Sequence, residues 1–207
     1  MYIPKSFQET DLSVLHAFMQ EHNFATLVTN AAGELAATHL PLMLDTTRGE
    51  YGTLLGHMAK ANAQWKAFAE QPSLLIFHGA HTYISPNWYT THPSVPTWNY
   101  AVVHAYGTPR IIDDSHAVEA MLQTLVTHHE AGFSPSWEMD LPDDYMHTMM
   151  QAIVAFEIPI TRLEGKFKLS QNRSQEDQAR VTEALLASTY PPDRQVGTLM
   201  QEASTPD

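Results

Sequence analysis

HGAHTYISPNWYTTHPSVPTWNYAVVHAYG, residues 78 to 107, is the stretch on which the reading of this chain turns. It carries Trp88, Tyr89, Trp98, Tyr100 and Tyr106, together with His78, His81, His92 and His104. Pro86, Pro93 and Pro96 stiffen its middle, because each proline fixes φ and removes a backbone donor. The run is too polar for a core strand and too aromatic for a plain linker. Its second half alternates from Thr97 as far as Ile112, which predicts a long strand. An ordered aromatic loop that feeds a long strand is suited to wall a flat ligand.

The segments around it predict the rest of the fold. Residues 12–22 form a helix capped by Thr10 or Asp11, with Leu12, Leu15, Phe18 and Met19 on one stripe. Residues 24–29 (FATLVT) and 34–44 (ELAATHLPLML) read as strands joined by the polar turn 30–33, an antiparallel hairpin. A third strand covers 51–57, a short helix covers 63–70 with Trp65 and Phe68 inward, and a fourth strand covers 73–78. Further on, Asp113 or Asp114 caps a helix over 115–131 whose apolar side holds Val118, Met121, Leu122, Leu125 and Val126. A helix over 145–151, a strand over 152–163 and a last helix over 174–188 follow. Three strands in a meander, a short helix and two more strands predict a small, mostly antiparallel β-barrel with flanking helices, of the α+β class. Residues 1–190 are expected to be one domain, and the polar, proline-bearing 191–207 a flexible C-terminal tail.

Composition narrows the function. A hydrophobic content of 43% over 207 residues supports a sizeable core, and no apolar run approaches the roughly 20 residues of a membrane span. The opening MYIPKSFQETD has no apolar signal-peptide core, and the chain has no cysteine, so a cytoplasmic protein is expected. Lys and Arg number 11 against 23 Asp and Glu, a formal charge of −12. Because nucleic-acid affinity draws on cationic side chains that release counterions, direct DNA binding is disfavoured.

Two segments stand out chemically. GHMAKAN, residues 56–62, hands a strand over to a helix, where N–H groups and Lys60 could hold a phosphate; the plainer reading is an N-cap by Asn62 and a solvated Lys60. KFKLSQNR, residues 166–173, concentrates Lys166, Lys168 and Arg173 in an acidic chain, which suits an anionic group; the plainer reading is an edge strand guarded by lysines. The pairs His78/His81 and His128/His129 lack a third ligand at motif spacing, so no metal is expected. There is no cysteine, no GxSxG elbow and no outstanding carboxylate couple; Ser85 reads as a turn residue. The residues by themselves name no reaction.

Taken in order, MYIPKSF, ATHLPL, LLGHMAKANAQW, HGAHTYISPNWY, VPTWNYAVVHAYG and KFKLSQNR resemble the PaiB-like family of FMN-binding negative transcriptional regulators. The likeness runs from Met1 to about Arg173. It implies an FMN-binding split barrel, a homodimer with flavin sites at the subunit interface, and FMN as cofactor. By the same resemblance, Thr38, His39, Leu40 and Pro41 would lie on the strand beneath the isoalloxazine. His57, Met58, Ala59, Lys60 and Asn62 would hold the ribityl phosphate. Trp98, Asn99 and Tyr100 would reach the ring from the second subunit, and Lys168, Ser170, Gln171 and Asn172 would close the site. The function implied is that of a flavin-dependent oxidoreductase, with a small-molecule electron donor or acceptor, or of a flavin-linked regulator of transcription. Haem binding in a split barrel, and direct DNA binding, are the alternatives.

Overall fold

The computed structural model describes residues 1–31, 33–68 and 71–204. They contain ten strands and five α-helices. The chain divides into two compact units, one of residues Met1–Phe18, Phe77–His104 and Glu164 onward, the other of Met19–Ile76 and Ala105–Leu163.

Strand β1 (Gln8–Glu9) and helix α1 (Leu12–Glu21) open the chain. Strands β2 (Phe24–Ala31) and β3 (Glu34–Pro41) form the expected hairpin, paired from Phe24 opposite Pro41 to Ala31 opposite Glu34. Ala32, in the predicted turn, lies outside the described residues, as do Ala69 and Glu70 at the end of the predicted short helix. The strand expected over 34–44 is two strands. Leu42 donates its N–H to the Asn23 carbonyl at 2.9 Å, and β4 (Met43–Asp45) leaves the hairpin to pair with β5 (Thr53–Ala59). The predicted helix at 63–70 is a 3₁₀ turn over Ala63–Ala67, capped by the Asn62 side chain.

Strand β6 (Ser73–Ile84) is twice the length expected, and β7 (Thr97–Gly107) ends before β8 (Arg110–Ile111). Helix α2 (Ser115–Glu130) is capped by Asp114, whose side chain accepts from Ala117 N–H at 3.0 Å. Helix α3 (Asp143–Gln151) precedes β9 (Ile153–Pro159) and β10 (Arg162–Lys168), so the strand expected over 152–163 also breaks. The break falls where Ile160 N–H turns to Gly52 O and Thr161 N–H to Tyr106 O. Helix α4 (Gln175–Leu186) is capped by Ser174. The segment expected to be a flexible tail is helix α5 (Pro191–Ala203), with Val196 and Met200 buried; Thr205–Asp207 lie outside the described residues.

In the first unit, β1, β10, β7 and the later part of β6 are neighbours in that order. Helix α1 lies close against them because two glycines leave room. A Cβ on Gly165 would come within 2.4 Å of Leu15 Cδ2, and one on Gly79 within 2.7 Å of Phe18 Cζ. Phe18 meets Phe167 with ring centroids 5.2 Å apart. Ile84, Tyr89, Leu169, Val181, Leu185, Val196 and Met200 form a buried cluster that fixes α4 and α5. Thr82 and Ser188 donate hydrogen bonds to opposite oxygens of Asp193, clamping the start of α5.

In the second unit, the start of β6 pairs with β2, and β4, β5, β9 and β8 form a four-stranded antiparallel sheet. Strand β9 pairs with β5 from Thr53 opposite Pro159 to Ala59 opposite Ile153. Leu27, Leu54, Leu75, Phe156 and Ile158 are wholly buried, each burial stabilising by about 1.5–3 kcal/mol. Val118, Met121 and Leu125 of α2 pack on Ala155, as the helical stripe predicts.

Candidate functional site

The candidate residues fall into two groups, one in each unit. In the second unit the alternation of β3 separates its four. Leu40 is buried against the Gly56 side of β5, so it supports from beneath. His39 is exposed and shares a hydrogen bond with Thr26 Oγ1 across the hairpin at 3.0 Å. Thr38 is half-buried at the centre of a polar network, and Pro41 closes the strand. Asn62 Nδ2 donates to Thr38 Oγ1 at 2.8 Å, and Thr38 in turn donates to Gln64 Oε1. Gln64 Nε2 donates to the carbonyls of Leu27 and Ala36 at 3.1 and 3.2 Å, tying the network to both strands of the hairpin. Gln64 went unassigned in the sequence; its place in the ANAQW run just after Asn62 was the available signal.

Along β5, Met58 is buried and His57 half-buried. Nδ1 of His57 is buried and has no hydrogen-bond partner, and burial lowers the histidine pKa, keeping the ring neutral near pH 7. Ala59 and Lys60 are exposed. The N–H groups expected to cradle a phosphate are largely engaged: Lys60 N–H donates to Ala152 O, Asn62 N–H to Ala59 O and Gln64 N–H to Asn62 Oδ1. Lys60 is among the residues around a cavity beside α3.

In the first unit, Trp98 is 53% exposed. His81 and Tyr83, two apart on β6, lie with ring centroids 6.2 and 6.0 Å from it. In the sequence, His81 is weighed only as a metal ligand and Tyr83 is left aside, although period-two spacing puts them on one face of a strand. Asn99 is fully buried; its Nδ2 donates to Ser170 Oγ at 2.9 Å and more weakly to Met200 Sδ at 3.4 Å, while Oδ1 has no partner. Tyr100 is half-buried, with Lys166 Nζ 5.3 Å from its ring centroid.

Lys168 donates to Thr97 Oγ1 at 2.7 Å and to Trp98 O at 2.6 Å, which holds the ammonium against the start of β7, 5.6 Å from the ring centroid of Phe7. Burial, and then the charges of Lys166 and Arg173, push its pKa down. The turn after it is held by Gln171, whose Oε1 accepts from Leu169 N–H at 2.7 Å and whose Nε2 donates to Phe167 O at 2.5 Å. Ser170 sits at φ 67°, a left-handed conformation that costs a non-glycine residue roughly 1 kcal/mol or more. Asn172 is exposed. Arg173 lies over the ring of Tyr89 at 4.2 Å, so the basic segment packs on aromatic faces rather than simply guarding an edge.

The donor chemistry fits a flavin. An isoalloxazine offers an imide N–H and ring acceptors, and its phosphate requires cationic or N–H donors. Against these the first unit sets a buried unsatisfied acceptor at Asn99 and a half-buried ammonium at Lys168. A buried polar atom left unmade costs about 1–3 kcal/mol, and a bound ligand could recover it. Among the described residues no three His, Asp or Glu side chains converge on a metal-sized point.

Comparisons with known proteins agree with this chemistry. Residues 1–162 match the family model described as "Putative FMN-binding domain". The chain is 35% identical to the protease synthase and sporulation protein PAI 2 of Bacillus subtilis, over 98% of this chain and 97% of that one. Its fold resembles the flavocytochrome Anf3 of Azotobacter vinelandii, with a TM-score of 0.62 at 14% identity over 86% of this chain and 78% of that one. It also resembles an FAD and heme binding protein of Mycobacterium smegmatis, with a TM-score of 0.60 at 16% identity over 83% and 78%. Antiparallel sheets with flanking helices thus make a split barrel, and the chain belongs to the PaiB-like FMN-binding family, whose cofactor is FMN.

Proposed function

We propose that the chain is a cytoplasmic, homodimeric flavoprotein acting as an FMN-dependent oxidoreductase on a small-molecule electron donor or acceptor. The observation that carries this reading is the buried, unpartnered Asn99 Oδ1 on the same strand as the exposed indole of Trp98, whose carbonyl takes the Lys168 ammonium. Bound FMN would supply two-electron redox chemistry. Asn99 would accept from the ring edge, Trp98 would cover a flat face, and Lys168 would place positive charge beside the acceptor end of the ring. In the second unit by itself, Thr38 and Asn62 are joined with Gln64 in one hydrogen-bond network. Within that unit, burial holds the pKa of His57 below its ordinary value.

Dimerisation is supported by apolar side chains that the single chain leaves in water. Leu35 on β3 is 76% exposed, and Ala36 and Ala37 beside it are exposed too. An apolar run on an exposed strand invites a partner. The acidic surface disfavours direct DNA contact, so a regulatory role would act through the flavin's redox state. The test is to purify the protein, record its visible spectrum, add FMN and measure its mass in solution. A flavin spectrum and a dimer are expected. A colourless monomer that takes up no FMN, or one that gives a Soret band with haem and ignores FMN, refutes the proposal.

A further inference from the structure

The connection from α2 to α3, within the second unit, borders a cavity of about 500 Å³ at the C-terminal end of α2. Val126, Trp137 and Met139 are among its apolar lining residues, and Glu130, Glu138 and Asp140 set carboxylates around it. None of these residues is assigned to the flavin. Hydrogen bonds of the loop hold the walls in place. Trp137 N–H donates to Glu130 Oε2 at 2.8 Å, Phe133 N–H to Glu130 O at 2.9 Å and Asp140 N–H to Glu138 O at 2.8 Å. Trp137 itself stays 49% exposed.

This charge is not answered locally. No Lys or Arg occurs between Arg110 and Arg162, while nine Asp or Glu do, so the stretch carries −9 of the formal −12. Among the described residues the ion pairs join Met1 to Glu164 and Arg48 to Glu157, and none reaches Glu130, Glu138 or Asp140. A single exposed carboxylate would be screened by solvent. Three around one apolar hollow, with the negative end of the α2 dipole beside them, add into a local field that draws a cation.

An indole beside carboxylates favours guanidinium over ammonium. The planar ion stacks on the ring, its N–H fork bonds carboxylates in pairs, and its aliphatic stem lies along apolar side chains. Phe133, on the same loop, is 66% exposed and offers apolar surface that a free amino acid would leave in water. A second copy of this acidic face would set like charge against like charge.

We infer that the cavity beside Trp137 docks an arginine side chain of a basic partner protein, its guanidinium against the indole and towards Glu138 and Asp140. The test uses the full chain with FMN at pH 8. The probe is the peptide Gly-Ser-Leu-Arg-Leu-Ser-Gly with a neutral fluorophore, followed by fluorescence polarisation. Binding with Kd of about 0.3 mM or tighter is expected, and citrulline in place of the arginine, which keeps the shape and loses the charge, should weaken it about tenfold or more. Trp137→Ala, Glu138→Gln and Asp140→Asn should each weaken the arginine peptide about threefold or more. Glu176→Gln and Glu202→Gln, the same loss of charge on α4 and α5, should leave it unchanged, with circular dichroism confirming that each variant folds.

The proposal is overturned by absence of binding at about 1 mM protein, by equal binding of the citrulline peptide, or by an equal loss in the α4 and α5 variants. An unchanged Kd in folded Trp137→Ala, Glu138→Gln and Asp140→Asn also overturns it. So does N-acetylarginine amide binding as tightly as the peptide, which would make this a small-molecule site. A changed mass in solution for Trp137→Ala overturns it too, because a second copy of the chain would then occupy the cavity.

Discussion

Replacing Asn99 with leucine should separate stability from ligand binding. The two side chains branch alike but leucine is the larger, and Asn99 is fully buried, so the substitution acts on hydrogen bonds and also crowds the site. It removes the bond to Ser170 Oγ, worth about 1 kcal/mol net, and the weaker contact to Met200 Sδ. It also removes the unsatisfied Oδ1, whose burial costs about 1–3 kcal/mol. Relief of the unsatisfied oxygen offsets part of this, but the buried Ser170 hydroxyl loses its partner and leucine crowds the site, so urea denaturation of the flavin-free protein should show a destabilisation of about 1–3 kcal/mol. FMN binding, followed by quenching of flavin fluorescence, should instead weaken by roughly 10- to 100-fold, the factor for one lost hydrogen bond to a buried acceptor. A destabilisation above about 3 kcal/mol with FMN affinity unchanged would refute the reasoning, because Asn99 would then be a structural residue whose free oxygen has no use.

Three other outcomes test the framework. Gln64→Ala removes hydrogen bonds to Thr38, Leu27 O and Ala36 O and should cost about 2–3 kcal/mol, with faster amide exchange in the β2–β3 hairpin; unchanged exchange would contradict its tying role. Ending the chain after Tyr190 removes Val196 and Met200 from the core, about 3–6 kcal/mol by burial, and should expose apolar surface to a hydrophobic dye; a cooperative unfolding curve at the full-length midpoint would count against it. Burial lowers the pKa of His57 and His22 below the ordinary 6.5, so the unfolded chain binds protons first as pH falls. The stability tied to neutral rings is complete above pH 6.5 and is lost progressively below it, well before the window under 3.8 where the hydrogen-bonded Asp177 carboxylate begins to protonate. His57→Gln should flatten the upper part of that pH profile, and a profile identical to the parent's would rule His57 out as a contributor.

Much of the fold was legible because burial writes itself as periodicity. The β2–β3 hairpin and the α2 stripe were found that way. The breaks within 34–44 and 152–163 were not, since Leu42 and Ile160 are buried whichever strand they belong to, and only the bonds of Leu42 and Ile160 N–H reveal the turn. Helix α5 was misread because Pro191 and Pro192 look like breakers, yet proline suits a first helical turn, and Val196 and Met200 recur at i, i+4 on its buried side. Of the candidate site, residue types such as Lys168 and Trp98 were visible in the sequence. Their partnership was not, because Lys168 meets a backbone carbonyl some seventy residues away, and no local pattern encodes that.

The left-handed turn at Ser170 places two demands on one position. Its backbone favours glycine, while the neighbouring amide of Asn99 requires a hydroxyl. The two positions should therefore vary together among relatives: where the asparagine gives way to an apolar residue, the turn is free to revert to glycine. The pair Asn99 and Ser170 could then mark, from sequence alone, which members of the family keep the same ligand-reading strand.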